Sequence, residues 1–214
     1  MIGDKSFVNC SSLASIDIPD SVIKIGNDAF TGCTGLINID LPESVIKLSE
    51  SAFTECTSII SYNVSNYNQN FSSENGILYN KDRSEIIAFP PKNSIKVFKI
   101  PTTVVRIGFN TFRECSNLIS IEIPNSVKII GDIHVQLNTS TIYFLSDFEY
   151  DYRIHTFYNC HNLNELHCKI RNIKDVFILE MFLMAVIYIN VLFMYQLGQD
   201  MLIDIILYFQ NSKK

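Results

Sequence analysis

A repeat of 23 residues constrains the fold of this chain more than any other feature of its sequence. Phenylalanines and cysteines recur at this step, and each cysteine follows its phenylalanine by three residues. The first three pairs are Phe7 with Cys10, Phe30 with Cys33 and Phe53 with Cys56. A fixed period of this length indicates a solenoid, in which each repeat forms one coil and buries its apolar edge against the next coil. We therefore predict a stacked solenoid.

One repeat is longer than the others. From Phe53 to Phe112 the distance is 59 residues, which is 23 plus 36, so one unit contains 13 additional residues. Within this unit the segments 77–79 and 84–89 read as short strands, and the polar segment 80–83 between them reads as a turn. The sequence therefore predicts a β-hairpin inserted into one coil.

An apolar–polar–apolar triplet in each unit predicts a strand with one face turned inward. In Ile39-Asp40-Leu41 the two apolar side chains point to the core and the carboxylate points outward. The following Pro42 cannot donate to a ladder and so ends the strand. Gly26, directly after Ile25, is expected to permit a tight corner of the backbone.

Five of the six cysteines occupy one position of the repeat: Cys10, Cys33, Cys56, Cys115 and Cys160. Such a column is expected to hold small buried thiols, each a weak donor to a turn carbonyl, rather than disulfides. A zinc site is the alternative, formed by Cys160, His161, His167 and Cys168. It is disfavoured because His167 and Cys168 are neighbours on a predicted strand and point to opposite faces. We predict no metal.

The outward residues of the strands form a polar column that is the candidate partner-binding surface. Its six principal members are Asp17, Asp40, Asn63, Lys99, Glu122 and His167. Extended concave surfaces of this kind are what solenoids use to bind partners, although a solvated sheet face would have the same composition. No nucleophile, base or metal ligand converges on these residues, so we predict no enzyme, no cofactor and no small-molecule substrate. A net charge of −5 argues against nucleic acid.

The last forty residues need a separate explanation. Residues 176–195 are twenty residues long with one charged side chain, Glu180, which is the length and composition of a membrane span. We expect an apolar α-helix that anchors the chain at the cell surface, followed by a short tail over 196–214. The alternative is a helix that caps the open end of a cytoplasmic solenoid. Residues 1–10 do not form a conventional secretory signal.

The repeat resembles the BspA-like, or Treponema-type, leucine-rich repeats. The resemblance lies in Asn9-Cys10-Ser11-Ser12-Leu13-Ala14-Ser15-Ile16-Asp17-Ile18-Pro19 and in Ile25-Gly26-Asn27-Asp28-Ala29-Phe30. It extends over about residues 1–129, includes the hairpin insertion and recurs weakly at 157–163. It implies a leucine-rich-repeat solenoid over 1–175, β-rich with short helical turns, degenerate over 130–151 and recovered over 152–175.

Members of that family are surface proteins of bacteria and of mucosal protist parasites. The resemblance therefore implies a non-enzymatic adhesion or recognition module that binds a protein or an extracellular-matrix partner. The alternative hypothesis is a soluble intracellular scaffold for protein–protein interaction, in which the C-terminal helix is the cap.

Overall fold

The computed structural model describes residues 1–131, 133–134, 156–157, 160, 162–163 and 165–168, with backbone alone for 133–134 and 165–168. Each coil is named below after the phenylalanine at its repeat position. The strands of the described residues are β1 (Lys24–Ile25), β2 (Asn38–Leu41), β3 (Lys47–Leu48), β4 (Ser61–Val64), β5 (Phe71–Glu74), β6 (Ile77–Asn80), β7 (Glu85–Ala88), β8 (Val97–Lys99), β9 (Arg106–Ile107), β10 (Ser120–Ile123), β11 (Ile129–Ile130), β12 (Ile133–His134) and β13 (Glu165–Cys168).

Strands from equivalent positions of successive coils pair in parallel, as a solenoid requires. In one row, which we call the outward row, β2 pairs with β4, and β10 pairs with both β8 and β13. The β2–β4 register joins Asn38 to Ser61 and Leu41 to Val64, a constant step of 23 residues. Strand burial alternates as predicted, since Ile39 and Leu41 are buried and Asn38 and Asp40 are exposed. The predicted solenoid is confirmed.

A second row of short strands lies on the other side of the coils. Strand β1 pairs in parallel with β3, and a bridge joins Ile2 to Ile25. Farther along, β11, β9, β7, β6 and β5 belong to one sheet, which also includes β12. Parallel pairing links β7 to β9, whereas β6 and β5 add to the edge in antiparallel fashion. The inserted residues thus extend the second row.

The insertion contains one strand more than the sequence analysis predicted. Strands β6 and β7 correspond to the predicted hairpin, but β5 precedes them and pairs with β6. The loop between β5 and β6 consists of Asn75 and Gly76, with φ of 52° and 77°. Two residues with positive φ form a type I′ turn, for which Asn-Gly is the favoured dipeptide. The insertion is therefore a three-stranded antiparallel meander.

Phenylalanines stack through the interior in two separate runs. The rings of Phe7 and Phe30 lie 5.1 Å apart and 3° from parallel, and Phe30 and Phe53 lie 5.4 Å apart. In the enlarged unit Phe89 takes the repeat position, 23 residues before Phe112, and contacts Phe112 at 5.3 Å. Among the described ring contacts, Phe53 meets Tyr62 rather than Phe89. The stack is interrupted where the hairpin leaves the solenoid.

The cysteine column forms as predicted, with one exception. Each buried cysteine lies one coil beyond a phenylalanine whose carbonyl accepts a hydrogen bond from its thiol. The Sγ–O distances are 2.9 Å for Cys33 to Phe7, 3.0 Å for Cys56 to Phe30, 3.6 Å for Cys115 to Phe89 and 2.8 Å for Cys160 to Phe112. Burial raises the pKa of Cys56 to about 12, so the thiol stays protonated. Cys10 is exposed, contrary to the prediction that the whole column faces inward.

The short helical turns expected from the resemblance are hydrogen-bonded turns, and no helix occurs among the residues that the structure describes. The residue before the cysteine has a left-handed backbone in each fully described coil that has this cysteine. The φ angles are 60° at Asn9, 73° at Gly32, 61° at Glu55 and 63° at Glu114. A left-handed residue cannot continue a right-handed helix, so the turn ends there.

Gly26 is needed for close packing between coils rather than for an unusual backbone angle. A Cβ on Gly26 would lie 2.7 Å from the backbone nitrogen of Asp4 and 2.9 Å from the carbonyl carbon of Gly3, in the preceding coil. No L-amino-acid side chain tolerates such contacts. The corner anticipated from the sequence is thus a site of direct backbone approach.

The recovered repeat stacks directly on the Phe112 coil. Strand β13 pairs with β10, and the rings of Phe112 and Phe157 are 5.1 Å apart and within 1° of parallel. Most of the stretch 130–151, the predicted helix 176–195 and the tail 196–214 lie outside the described residues. Within the described residues, no helix has the length and apolar content needed to cross a bilayer.

Candidate functional site

The outward row brings Asp40 and Asn63 into direct contact. The Nδ2 atom of Asn63 donates to Oδ1 of Asp40 at 2.7 Å, and the Ser61 hydroxyl donates to Oδ1 of Asn63 at 2.7 Å. Both Asp40 and Asn63 are exposed. The parallel register of β2 and β4 places these side chains one above the other, because it joins Asp40 to Asn63. They form a polar ladder that is held in one arrangement by its own hydrogen bonds.

Lys99 and Glu122 form a second contact on the same row. The Lys99 ammonium lies 3.4 Å from the Glu122 carboxylate, and the lysine side chain is 76% exposed. The next strand places the backbone of His167 in register with Glu122. The side chain of His167 lies outside the described residues. The Lys99 ammonium is therefore accessible to a partner, whereas the Glu122 side chain is only 24% exposed.

The predicted column is divided into two groups by the hairpin. The backbone N–H of Tyr62 in β4 donates to the carbonyl of Gly76 at 2.9 Å, so the hairpin turn takes the edge of β4 that β8 would otherwise use. Among the described strands, β4 and β8 belong to different sheets. Asp17 is exposed in a segment that forms no strand. The structure joins Asp40 with Asn63, and Lys99 with Glu122, but does not join the two pairs.

Exposed aliphatic side chains border both groups, a feature that the sequence analysis missed. Ile37, Ile60 and Ile119 directly precede β2, β4 and β10 and are 43%, 50% and 37% exposed, and Val97, the first residue of β8, is 58% exposed. A signal was present, because Ile37 and Ile60 are one repeat apart and directly precede the strands. Apolar groups mixed with fixed polar groups are typical of a protein-binding surface.

The metal alternative finds no support among the described side chains. Cys160 is buried, and its thiol donates to the carbonyl of Phe112. The side chains of His161, His167 and Cys168 lie outside the described residues. In the part of the chain whose side chains are described, no three histidine, cysteine or acidic residues are close enough to share a metal ion.

Contacts across the Phe89 coil are a further feature that the sequence analysis missed. Only two residues separate Ile86 from Phe89, whereas four separate Ile107 from Phe112, so the Phe89 coil has a shorter turn. The turns of the Phe53 coil and the Phe112 coil, on either side of it, are therefore in direct contact. Glu50 accepts a hydrogen bond from the backbone N–H of Phe109 at 2.8 Å.

Two further side-chain contacts span the same gap. Asn110 Nδ2 donates to Thr54 Oγ1 at 3.2 Å, and the Arg113 guanidinium lies 2.9 Å from the Glu55 carboxylate. These pairs join positions 56 and 58 residues apart in sequence. A strictly periodic stack would pair neighbouring coils only, so no repeat-based argument predicts them.

An ion triad lies beside these contacts. The Arg106 guanidinium is 2.8 Å from Glu50 and also contacts Glu85. Burial raises the pKa of the Glu85 carboxyl, although the charge of Arg106 opposes the rise. The triad ties the second-row strands β7 and β9 to the Phe53 coil.

The family model described as "BspA type Leucine rich repeat region" matches residues 1–96 and 85–190, with six copies. No curated protein sequence matches the chain.

Three solved bacterial structures resemble the chain. They are a leucine-rich repeat protein from Eubacterium ventriosum (TM-score 0.53, 20% identity, 73% of this chain and 42% of that one), the pneumococcal vaccine antigen PcpA (0.55, 20%, 70% and 38%) and a leucine rich cell surface protein from Faecalibacterium prausnitzii (0.56, 23%, 82% and 59%). The chain thus spans about two fifths to three fifths of the length of these proteins. At such identities the likeness shows the fold alone.

Proposed function

Because this chain belongs to the BspA type leucine-rich repeat family, we propose that it is a non-enzymatic recognition module of the cell surface that adheres to a protein or matrix partner. Leucine-rich repeats form protein-interaction modules, and solenoids present extended surfaces for this purpose. The partner-binding surface is the outward row.

The observation that carries this proposal is the arrangement of polar and apolar groups on β2 and β4. Asp40 and Asn63 are fixed by mutual hydrogen bonding, while Ile37 and Ile60 beside them are about half exposed. Preorganised side chains lose little conformational entropy when a partner binds. The exposed isoleucines supply apolar area that a partner can bury at about 25 cal/mol per Å².

The surface location is supported by two observations. Residues 176–195 have the length and composition of a membrane anchor. Of the solved relatives, the Faecalibacterium prausnitzii protein is named a cell surface protein. The anchored chain would hold its solenoid outside the cell, where the outward row meets matrix or another cell.

Binding to immobilised matrix proteins tests the recognition surface. We expect the full-length chain to bind at least one of fibronectin, laminin and collagen in a surface plasmon resonance assay. The double variant Asp40→Lys/Asn63→Lys should reduce that binding at least tenfold, since it reverses the charge of the polar ladder. The control Lys24→Asp/Lys47→Asp, which changes two neighbouring positions of the second row, should bind as the wild type does. Equal loss in both variants, or binding to none of the three proteins, would contradict the proposal.

Fractionation of cells that express the full-length chain tests the location. We expect the protein to remain in membranes after alkaline carbonate washing and to be released by detergent. The solenoid should also be cleaved by protease added to intact cells. Recovery in the aqueous fraction, with protection from added protease, would instead indicate the intracellular scaffold.

A further inference from the structure

Strand β8 of the outward row has an open edge. On one side it pairs with β10, where the carbonyl of Lys96 accepts a hydrogen bond from the backbone N–H of Ser120 at 3.1 Å. On the same side the N–H of Ile100 donates to the carbonyl of Glu122 at 3.0 Å. Of the strands that the structure describes, only β10 lies alongside β8. The other edge of β8 is open because the hairpin keeps β4 away from it.

Four backbone groups point to this open edge. Successive residues of a strand direct their N–H and C=O groups to opposite sides, and Lys96 and Ile100 use theirs towards β10. The N–H and C=O groups of Val97 and Lys99 therefore face away from β10. None of the four is hydrogen-bonded within the described part of the chain, and both residues are exposed. Such a row of unpaired groups is a template for one more strand.

The open edge lies in a basic part of this acidic chain. Residues 86–113 contain five lysines and arginines and no carboxylate, whereas the whole chain has a net charge of −5. The two arginines and Lys99 are paired with glutamates. Lys92 and Lys96 are exposed just before β8 and form no ion pair with any residue that the structure describes. A strand added at this edge would therefore meet positive charge that is not compensated.

The backbone groups and the charges together select the occupant. A peptide backbone has donors and acceptors that match the edge, whereas a sulfated polysaccharide would use the lysines alone. A second copy of this chain is disfavoured, because pairing of two β8 edges would bring like charges together. Lysines beside an open edge also discourage pairing with neutral strands. An acidic peptide segment satisfies both requirements.

We infer that the open edge of β8 binds an extended acidic segment of a protein partner, which adds to the sheet as one more strand. The backbone of the segment hydrogen-bonds to Val97 and Lys99, and its carboxylates meet Lys92 and Lys96. This contact is made by the strand edge, whereas the contact on β2 and β4 is made by outward side chains. That the occupant comes from a protein partner rests on the proposed function, whereas the open edge and its charge do not.

Titration of the ¹⁵N-labelled full-length chain with short peptides, followed by nuclear magnetic resonance, tests the inference. The probe is acetyl-Glu-Val-Glu-Val-Glu-amide, and acetyl-Lys-Val-Lys-Val-Lys-amide is the control of opposite charge. Without peptide, the amide hydrogens of Val97 and Lys99 should exchange with solvent much faster than that of Ile100. We expect the acidic probe to shift the amides of Val97 and Lys99 saturably and to slow their exchange. The basic peptide should do neither, and equal effects of the two peptides would contradict the inference.

Two N-methylated versions of the probe distinguish strand pairing from attraction between charges. One version carries methyl groups on the valine nitrogens and the other on the glutamate nitrogens, so both keep the charge of the probe. An added strand bonds to its neighbour through alternate residues. One version should therefore bind nearly as the probe does, while the other should bind at least tenfold more weakly. If the two versions bind equally, the peptide is not held as a strand, and the inference is overturned.

Variants of the chain test both parts of the edge. Val97→Pro removes one donor and obstructs an added strand, so it should abolish binding of the acidic probe; an edge position tolerates proline, and an unchanged circular dichroism spectrum would show that the fold is kept. Lys92→Glu/Lys96→Glu should weaken binding about tenfold. The control Lys24→Glu/Lys47→Glu makes the same change of charge on the second row and should leave binding unchanged.

Equal weakening in the two charge variants would mean that only the net charge matters and would overturn the inference. Undiminished binding to Val97→Pro would overturn it as well. Since no matrix protein is used, failure here is distinct from failure of the proposed function.

Discussion

Replacement of Asn68 by valine is the most discriminating test of the structure, because sequence and structure predict opposite results. Other coils have valine at this repeat position, namely Val22, Val45, Val104 and Val127. A consensus argument would therefore expect Asn68→Val to stabilise the solenoid. In the structure Asn68 is fully buried and its side chain makes four hydrogen bonds.

The four hydrogen bonds allow the cost to be estimated. Nδ2 donates to the carbonyls of Pro42 and Val45 at 2.8 and 3.0 Å, and Oδ1 accepts from the backbone N–H groups of Asn70 and Phe71, both at 2.8 Å. At about 1 kcal/mol each, their loss costs about 4 kcal/mol. Burial of the valine side chain returns about 1.5 kcal/mol. We expect Asn68→Val to lower the free energy of unfolding by about 2.5 kcal/mol.

Urea denaturation of the full-length chain, followed by circular dichroism, measures this change. With a dependence of about 2 kcal/mol per molar urea, the midpoint should fall by about 1 M. The matched control is Asn38→Val, at an exposed position of β2, which should change stability by less than about 0.5 kcal/mol. If Asn68→Val unfolds at the same urea concentration as the wild type or at a higher one, the hydrogen-bonding role of Asn68 is refuted.

Three further predictions follow from the thiols and the ion triad. The exposed Cys10 should react with Ellman's reagent far faster than the buried Cys56 in the native chain. Mass spectrometry of the labelled peptides measures both rates, and equal rates would contradict the burial of Cys56. The free energy of unfolding should fall as the pH rises from 9 towards 12, because the thiol ionises near pH 9 in the unfolded chain while its pKa in the folded chain is about 12. For one thiol this loss reaches about 4 kcal/mol. Urea denaturation at a series of pH values should show a smaller loss in Cys56→Ala than in the wild type. Arg106→Gln should lower the unfolding free energy by about 1–3 kcal/mol in urea denaturation, because it leaves the partly buried Glu50 and Glu85 without their shared cation, whereas no change would mean that the triad is fully solvated.

The features that could be predicted from the sequence are those that every coil repeats. The stacking of Phe7 on Phe30, the thiol of Cys56 and the alternation in Ile39-Asp40-Leu41 follow from local pattern and period alone. The extra strand β5 was also predictable in principle, since Asn75-Gly76 is a strong hairpin signal.

The candidate site was predicted only in part. Asp40 and Asn63 meet because their strands have no insertion between them, so the period alone places them together. Lys99 was assigned to the same column, but β8 belongs to a different sheet from β4. The hairpin turn occupies the intervening edge, and nothing in the repeat indicates which edge an insertion will cover.

The period by itself therefore determined that the chain is a solenoid, which side chains of the regular strands face its core and which unit contains the insertion. Tertiary structure alone decided what happens around that hairpin: the division of the outward row, the contacts of Glu50 and Arg113 across a shortened coil, and the buried role of Asn68. The physical reason is that a repeat encodes contacts between equivalent positions. The contacts across an insertion join positions that are not equivalent, and they depend on where the chain returns to the stack.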